Sequence, residues 1–215
     1  MKKILYTFLL VSPILFITSC EEEIEGCTNS LACNYNYSAT VDNGSCDYPV
    51  LGYDCDGNDV QFYIGQMFNV GIVFYIDTTG EHGLVAAKED IGSYEWGCNG
   101  VYVSGADGLS IGTGLQNTLD IISDCIETPI AASEALAYES GGYSDWYLPS
   151  LDELKEMYNT IGPGTDNIGC FENSEYWSSS EFDNFHQVWI VDFYNGYDGT
   201  DTHDYLYKVR PIHSF

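Results

Sequence analysis

The apolar positions of this chain change their spacing along its length, and each spacing predicts a kind of element. Runs rich in β-branched and aromatic residues at 71–77 and 83–87, joined by a Thr-Thr-Gly-Glu-His turn, predict a β-hairpin. Similar runs at 176–180, 188–193 and 207–212 predict three later strands. A hairpin, then helices, then late antiparallel strands indicate an α+β domain rather than a parallel α/β sheet.

Two or three helices are expected between the hairpin and the late strands. Apolar residues recur at helical spacing over 115–126, at Leu115, Leu119, Ile122 and Ile126. Thr128-Pro129 supplies an N-cap and a first-turn proline for a second helix that ends near Gly141-Gly142. Ser150 and Glu153 have the spacing of a capping box and predict the start of a third helix.

The N-terminal segment has the pattern of a targeting signal. Lys2 and Lys3 precede an apolar run over 4–17, and small residues precede Cys20. This arrangement resembles a bacterial lipoprotein signal peptide, whose removal (residues 1–19) leaves a lipid-bearing cysteine at the N-terminus of the mature chain. The alternative is an uncleaved transmembrane anchor. Because the run is interrupted by Pro13 and is shorter than the roughly 20 residues that cross a bilayer, we favour lipidation at Cys20.

Three glutamates, Glu21 to Glu23, follow the lipidation site. They resemble an acidic export signal that sends lipoproteins to the outer face of the outer membrane in one large phylum of Gram-negative bacteria. The alternative is a solvated linker that only lifts the domain off the membrane. We expect a lipid-anchored protein on the bacterial outer membrane that faces outside the cell.

The chain is strongly acidic, with 33 Asp and Glu against 6 Lys and Arg. Loss of Lys2 and Lys3 with the signal peptide would leave a formal charge of −29. Nucleic-acid binding needs clustered Lys and Arg, so no nucleic-acid partner is expected. Divalent cations or cationic surfaces are better matched, although acidity also simply keeps a secreted protein soluble.

Seven cysteines remain once Cys20 carries lipid, which suits an oxidising compartment and leaves one thiol unpaired. Four of them, Cys27, Cys33, Cys46 and Cys55, lie in a polar stretch with few large apolar residues, so we expect disulfides to stabilise it. Four cysteines allow three pairings, and the sequence does not choose among them. Zinc is the competing explanation, but no close Cys-x-x-Cys pair is present.

Residues 26–47 resemble a short cysteine-containing repeat of secreted marine-bacterial proteins. Residues 20–60 form the predicted acidic linker and repeat, here called the stalk.

A possible calcium loop lies at the end of the stalk. Asp54, Asp56 and Asn58 place oxygen side chains at alternating positions around a glycine and resemble part of a thrombospondin type 3 loop. A complete loop recruits about 6 to 8 oxygens, and a further carboxylate at a fixed spacing is missing. Calcium is therefore a possible cofactor at this loop, and an ordinary Asp/Gly/Asn turn is the alternative.

Four motifs in residues 61–215 carry a resemblance to a known family: IGTGLQNT, GGYSDWYLPSLDELKEMY, EYWSSSE and KVRPIHSF, in that order. Together they look like the Lcl C-terminal domain family, a domain of unknown function. That family is similar in turn to the C-type-lectin-like fold of formylglycine-generating enzymes and of receptors varied by retroelements. The resemblance implies a surface-exposed, ligand-binding domain without a known reaction. It also implies a structural pair of Cys98 and Cys125, which would leave Cys170 as the odd thiol.

The segment 182–207 is the best candidate for ligand contact. It has no Lys or Arg and is dense in Tyr, Asp, Asn, His and Gly, a chemistry that antibody-like binding surfaces share. In the retroelement-varied receptors, which the family resembles in fold, the changeable positions occupy the corresponding C-terminal region. The predicted contacts are Asn184, Phe185, His186, Tyr194, Tyr197, His203 and Tyr205. The alternative is a polar loop that joins two strands.

Other residues predict scaffold roles or weak sites. Trp146, Trp177 and Trp189 are expected to fill the core. Asp145 and Arg210 would form an ion pair or lie on the surface. A metal held by His186 and His203 with Asp183 or Asp201 is a minor alternative.

The serines at 178–180 lack the surroundings of a nucleophile, and Cys170 alone does not make a formylglycine-type site, so no enzyme activity is expected. The resulting hypothesis is a non-catalytic surface lipoprotein that binds an extracellular protein or glycan. Its alternative is a structural or adhesive surface component.

Overall fold

The structure is a computed structural model that describes residues 23–68, 70–183 and 186–215. The described residues form ten strands and three helices. The strands are β1 (Glu25–Gly26), β2 (Val41–Asp42), β3 (Ile72–Ile76), β4 (Gly83–Ala86), β5 (Gly92–Tyr94), β6 (Glu175–Asp183), β7 (Gln187–Asp192), β8 (Tyr197–Thr202), β9 (Tyr207–Val209) and β10 (Ile212–Ser214). The helices are α1 (Gly114–Asp124), α2 (Ala131–Ala137) and α3 (Leu151–Thr160). The predicted α+β class is confirmed.

Two antiparallel-rich sheets form the main domain in the described part of the chain. One has the order β10-β4-β3, and the other has the order β5-β9-β6-β7-β8. The predicted hairpin is present, with Ile72 opposite Ala86 and Ile76 opposite Gly83. The long β6 strand pairs antiparallel with β7 and parallel with β9. As a result β8 is an edge strand, and the chain must cross the end of the sheet to reach β9.

Helix α3 begins as the capping box predicts. The Ser150 hydroxyl accepts from the Glu153 backbone N–H, and the Glu153 carboxylate accepts from the Ser150 N–H at 2.7 Å. The second helix differs from its prediction, because Ile130 is the N-cap and the helix ends at Ala137. Tyr138 is extended instead, and its ring packs edge-on against Trp146 at 5.1 Å.

Helix α1 is present, but only part of its predicted apolar stripe is buried. Ile122 packs against the core, whereas Leu115 and Leu119 on the helix and Ile126 just beyond its end are exposed. The buried face carries Asn117 and Thr118 beside Ile121. Polar groups suit this face because Asn117 donates to the Ser179 hydroxyl on β6 and Thr118 donates to the Leu148 carbonyl in the segment before α3.

The five-stranded sheet separates two core clusters. Trp177, Val188 and Ile190 face the side covered by α1 and α2, with Trp96 and Ile121. A second set packs with α3 on the other side, and it includes Tyr176, Val191, Phe193, Leu154 and Met157. Trp146 and Trp177 are fully buried as predicted, whereas Trp189 is half-buried and meets Phe182 edge-on at 5.0 Å.

The predicted strand over 207–212 is divided between the two sheets. β9 belongs to the five-stranded sheet and β10 to the three-stranded sheet, and the break falls at Arg210-Pro211. Proline has no N–H to continue a ladder. The Arg210 side chain enters the interior here, where it donates to the carbonyls of Ala87 and Gly169.

The predicted Asp145–Arg210 ion pair is wrong. Arg210 Nε lies 2.6 Å from Asp90 Oδ1, while Asp145 is largely exposed and lies beside His213 at 3.1 Å. The reason is that Arg210 lies at the junction of the two sheets, beyond the end of β4 and next to the loop that carries Asp90.

The stalk is cross-linked by Cys27–Cys46 and Cys33–Cys55, one of the three pairings left open. A third disulfide joins Cys98 to Cys125, the pairing that the family resemblance implies. Among the cysteines within the described residues, Cys170 has no disulfide, and it is exposed.

Leu51 and Phe62 pack against the core of the main domain, so the predicted boundary near Val60 lies in a packed segment. None of the described helices has the length and apolar character to cross a membrane.

Candidate functional site

A tight turn between β7 and β8 presents two of the predicted contact residues. Tyr194 and Tyr197 retain 71% and 67% of their accessible surface. The Asp192 carboxylate accepts from the Tyr194 N–H and from the Asn195 side chain, both at 2.8 Å. The Asn195 side-chain oxygen then accepts from the Tyr197 N–H at 2.8 Å. These bonds fix the backbone of residues 192–197, here called the tyrosine turn, while both tyrosine side chains stay free of core contacts.

The tyrosine turn is also anchored to α3. Gly196 adopts a left-handed conformation with φ of 76°, and a Cβ atom at this position would lie 2.4 Å from the Tyr158 ring. Lys155, one helical turn before Tyr158, pairs with Asp198 of β8 at 2.6 Å. That contact with Lys155 holds the pKa of Asp198 below its ordinary value. A base held by hydrogen bonds and by packing against α3 therefore presents two exposed aromatic side chains.

The other predicted contacts lie at the opposite end of β8. His203 and Tyr205 belong to the connection 203–206, which crosses from β8 to β9, and His186 begins the β7 side of the neighbouring hairpin. The length of β8, about 17 Å, separates the two groups. The five predicted residues that the structure describes therefore do not form one cluster. Asn184 and Phe185 lie outside the described residues, as does the predicted lipidation site Cys20.

His203 does not belong to a contact surface. It is fully buried, its ring packs against Trp96 at 4.7 Å, and its backbone carbonyl accepts from the Trp96 N–H. Burial lowers the pKa of His203 below its ordinary value. Tyr205 remains half-exposed and stacks on Tyr207 at 5.6 Å with nearly parallel rings.

A family model for the Lcl C-terminal domain matches residues 105–213, just over half of the chain. The chain belongs to the Lcl C-terminal domain family. No curated protein matches the chain. The matched region starts just before α1 and ends in β10, so it contains both ends of β8 and most of the core.

Residues of the Lcl-type motifs mostly hold the fold together. Glu153 is fully buried, and its carboxylate accepts from the N–H groups of Ser150 and Gly112, which ties the IGTG loop to the start of α3. Burial raises the pKa of Glu153. The serines of the EYWSSSE motif are also buried. Ser178 donates to the Trp189 carbonyl and Ser180 to the Gly108 carbonyl, so both hydroxyls serve the structure.

The predicted calcium residues form an internally bonded turn. Asp54 Oδ1 accepts from the backbone N–H groups of Asp56 and Asn58, and the Asn58 amide also donates to the Asp54 carboxylate. These bonds lower the pKa of Asp54. Because the Asp54 oxygens already have donors and Asp56 and Asn58 are exposed, the geometry is that of an ordinary Asx turn. Calcium at this loop stays a prediction.

Within the described residues, Cys98, Cys125 and Glu127 bring three possible ligand atoms within 4.8 Å of one another. The two sulfur atoms are bonded to each other, so they are not thiolate ligands. Glu127 accepts from the Cys98 backbone N–H at 3.0 Å and stabilises the disulfide loop.

Sequence reasoning did not identify the outward stripe of α1 as a surface. Leu115 and Leu119 on α1, and Ile126 just beyond its end, are exposed apolar side chains on an otherwise acidic protein. The helical spacing of these residues is visible in the sequence, but the same spacing normally marks a buried face. The stripe is a second surface to test beside the tyrosine turn.

Proposed function

We propose that this protein is a non-catalytic bacterial surface lipoprotein that binds an extracellular protein or glycan through the tyrosine turn. Lipidation at Cys20 and an outward-facing position on the outer membrane are part of the proposal. The Lcl-type domain, taken as a C-type-lectin-like module, is its binding unit. The stalk is its spacer.

One observation supports the proposal: the backbone of the tyrosine turn is held by hydrogen bonds, while the side chains of Tyr194 and Tyr197 are exposed to solvent. Tyrosine contributes a large amphipathic contact and loses little rotamer entropy when it is immobilised. The bonds from Asp192 and Asn195 order the loop before any ligand arrives, which reduces the entropy lost on binding. A tyrosine with a purely structural role would bury its ring, and neither Tyr194 nor Tyr197 does so.

The charge of the chain narrows the ligand class. With 33 acidic residues against 6 basic ones, the surface repels polyanions such as nucleic acids and sulfated polymers. Neutral glycans and neutral or basic proteins remain as ligands. Tyrosine rings stack on the apolar faces of sugars and on protein side chains alike, so both classes are kept.

A binding screen with matched variants tests the proposal. The whole chain, purified in detergent, is applied to a glycan and surface-protein array, and each hit is followed by titration. We expect a saturable hit that the double variant Y194A/Y197A weakens at least about tenfold, which is the loss of two aromatic contacts of about 0.7 kcal/mol or more each.

The matched control is Y37A/Y63A, which removes two tyrosines that are similarly exposed outside the Lcl-type match. This control must keep full affinity. If L119E instead of the tyrosine variant abolishes the hit, the apolar stripe of α1 is the site, and the proposed site is wrong. A folded protein without any saturable hit contradicts ligand binding and favours the structural or adhesive role.

A further inference from the structure

Glu181, His186 and His203 come together at the end of β8 away from the tyrosine turn. Glu181 lies near the end of β6, His186 precedes β7, and His203 follows β8. Glu181 and His203 have fully buried side chains, with Glu181 Oε1 3.6 Å from His203 Nε2. The ring of His186 lies 6.2 Å from the ring of His203, centroid to centroid.

The tautomer of His203 follows from its contacts. Nδ1 lies 3.2 Å from the Cys98 carbonyl oxygen, which only accepts hydrogen bonds, so Nδ1 carries the ring proton. In the neutral ring, Nε2 then carries no proton and has its lone pair exposed to its surroundings. It has no hydrogen-bond partner among the described residues, and it points toward the carboxylate of Glu181. A cation placed between the Nε2 lone pair and the Glu181 carboxylate would interact favourably with both groups.

The distances fit a transition metal. Zinc bonds of about 2.0–2.2 Å in a tetrahedral site place two ligand atoms about 3.4 Å apart, close to the separation of Glu181 Oε1 and His203 Nε2. Two imidazoles on one ion have centroids about 5 Å apart, whereas the two rings here are 6.2 Å apart and the ligand atoms of the three residues do not all lie within 4.8 Å of one another, so His186 needs to move inward before all three can bind one ion. Its buried Nδ1 has no hydrogen-bond partner among the described residues and is available as the third ligand atom.

Both buried ligands are oriented by further contacts. Glu181 Oε2 accepts from the Val103 N–H at 2.8 Å, and His203 donates to the carbonyl of Cys98, which the Cys98–Cys125 disulfide holds in place. Histidine ligands of metals characteristically donate their other N–H to a carbonyl or carboxylate. His203 has this arrangement, with Nδ1 directed at the Cys98 carbonyl.

We propose that Glu181, His186 and His203 bind one first-row transition ion of the zinc type, with a fourth position open toward the half-exposed side of His186. Two imidazoles and one carboxylate suit zinc and its neighbours and do not suit calcium. The ion ties the ends of β6, β7 and β8 together. This site is independent of the tyrosine turn and of the proposed ligand.

Zinc titration of the whole chain in detergent, after chelator treatment, tests the site. Calorimetry is run at about 0.5 M salt with excess calcium, because these conditions screen and occupy surface carboxylates. We expect one zinc ion per chain, and we expect E181Q and H186A each to weaken binding at least about tenfold. H82A removes an exposed loop histidine and must leave the affinity unchanged.

A second readout keeps the test decisive if E181Q fails to fold. H186A removes a half-exposed side chain and is expected to fold, and cobalt in place of zinc gives visible absorption bands that this variant must lose. An absence of saturable zinc binding by the folded wild-type protein would overturn the proposal. In that case a proton shared by Glu181 and His203 would take the place of the metal. Zinc binding of equal strength in wild type and both variants would overturn it too, because it would show adsorption to the acidic surface.

Discussion

Arg210 and Asp90 form a buried ion pair at 2.6 Å, although 120 residues separate them in the chain. Asp90 also accepts from the Tyr176 hydroxyl at 2.8 Å, and the guanidinium lies over the Phe171 ring at 4.1 Å. The pair therefore joins the junction of the two sheets to the core beneath α3.

Loss of the carboxylate leaves Arg210 as a buried charge without its partner. We expect D90A to lower the free energy of unfolding by about 3 to 5 kcal/mol, measured by urea denaturation. The exposed pair Lys208–Glu172 provides the control, and E172A should cost less than about 1 kcal/mol. An equal loss in the free energy of unfolding for the two variants would show that burial does not determine how much these ion pairs stabilise the fold.

His213 should make the domain sensitive to mild acid. Burial lowers the pKa of His213, and the nearby Asp145 partly opposes this shift. As the pH falls through the ordinary histidine value of 6.5, the unfolded chain takes up the proton first, so the folded state loses stability. D145N removes the charge that favours protonated His213 and should deepen the loss. Between about pH 8 and about pH 5, the extra loss in D145N should reach at most about 1 kcal/mol, because Asp145 is mostly exposed. A difference between D145N and wild type that is the same at both pH values would contradict this assignment.

The three disulfides should be reduced in a defined order. Cys33 and Cys55 are both exposed, whereas Cys98 and Cys125 are both buried. Thiol exchange needs access to a sulfur atom, so mild reductant should open Cys33–Cys55 first and Cys98–Cys125 last. Timed alkylation and mass spectrometry of the native chain measure the order, and Cys170 should be labelled before any reductant is added. Early alkylation of Cys98 would mean that its loop opens in the native state.

A comparison of Gly196 with Gly80 distinguishes the cost of backbone strain from the cost of a packing clash at the tyrosine turn. Gly196 and Gly80 share a left-handed conformation, with φ of 76° and 78°, but only Gly196 has a ring where a Cβ atom would lie. G80A should cost about 1 to 2 kcal/mol from the backbone alone, and G196A should cost more because Tyr158 must move. G196A should also weaken ligand binding, since the turn would shift. Thermal unfolding and ligand titration of both variants test this, and equal destabilisation would exclude a role for the Tyr158 contact.

Local signals in the sequence were sufficient to predict the secondary-structure elements that are determined by residues close together in the chain. The capping box of Ser150 and Glu153 operates over three residues, and the hairpin of β3 and β4 is encoded by two apolar runs and a turn. The strand β8 was missed because YDGTDT is polar and contains glycine. An edge strand with one neighbour needs no apolar alternation.

Long-range pairing could not be predicted in the same way. Helical spacing predicted α1 but not its buried face, because Asn117 and Thr118 are satisfied by groups on β6 and in the segment before α3. His203 was expected at the surface because its segment is polar, yet the crossing from β8 to β9 places it under Trp96. The partner of Arg210 was mistaken for the same reason, since only the sheet order brings Asp90 to it.

The two disulfides of the stalk interleave, because Cys33 lies inside the Cys27–Cys46 loop and Cys46 lies inside the Cys33–Cys55 loop. A protease that cuts once anywhere between Cys27 and Cys55 therefore leaves at least one covalent bridge between the two fragments. The N-terminal end of the chain stays attached to the Lcl-type domain after such a cut. Separation of the two fragments at this segment therefore requires both proteolysis and disulfide reduction, and an oxidising environment opposes the reduction.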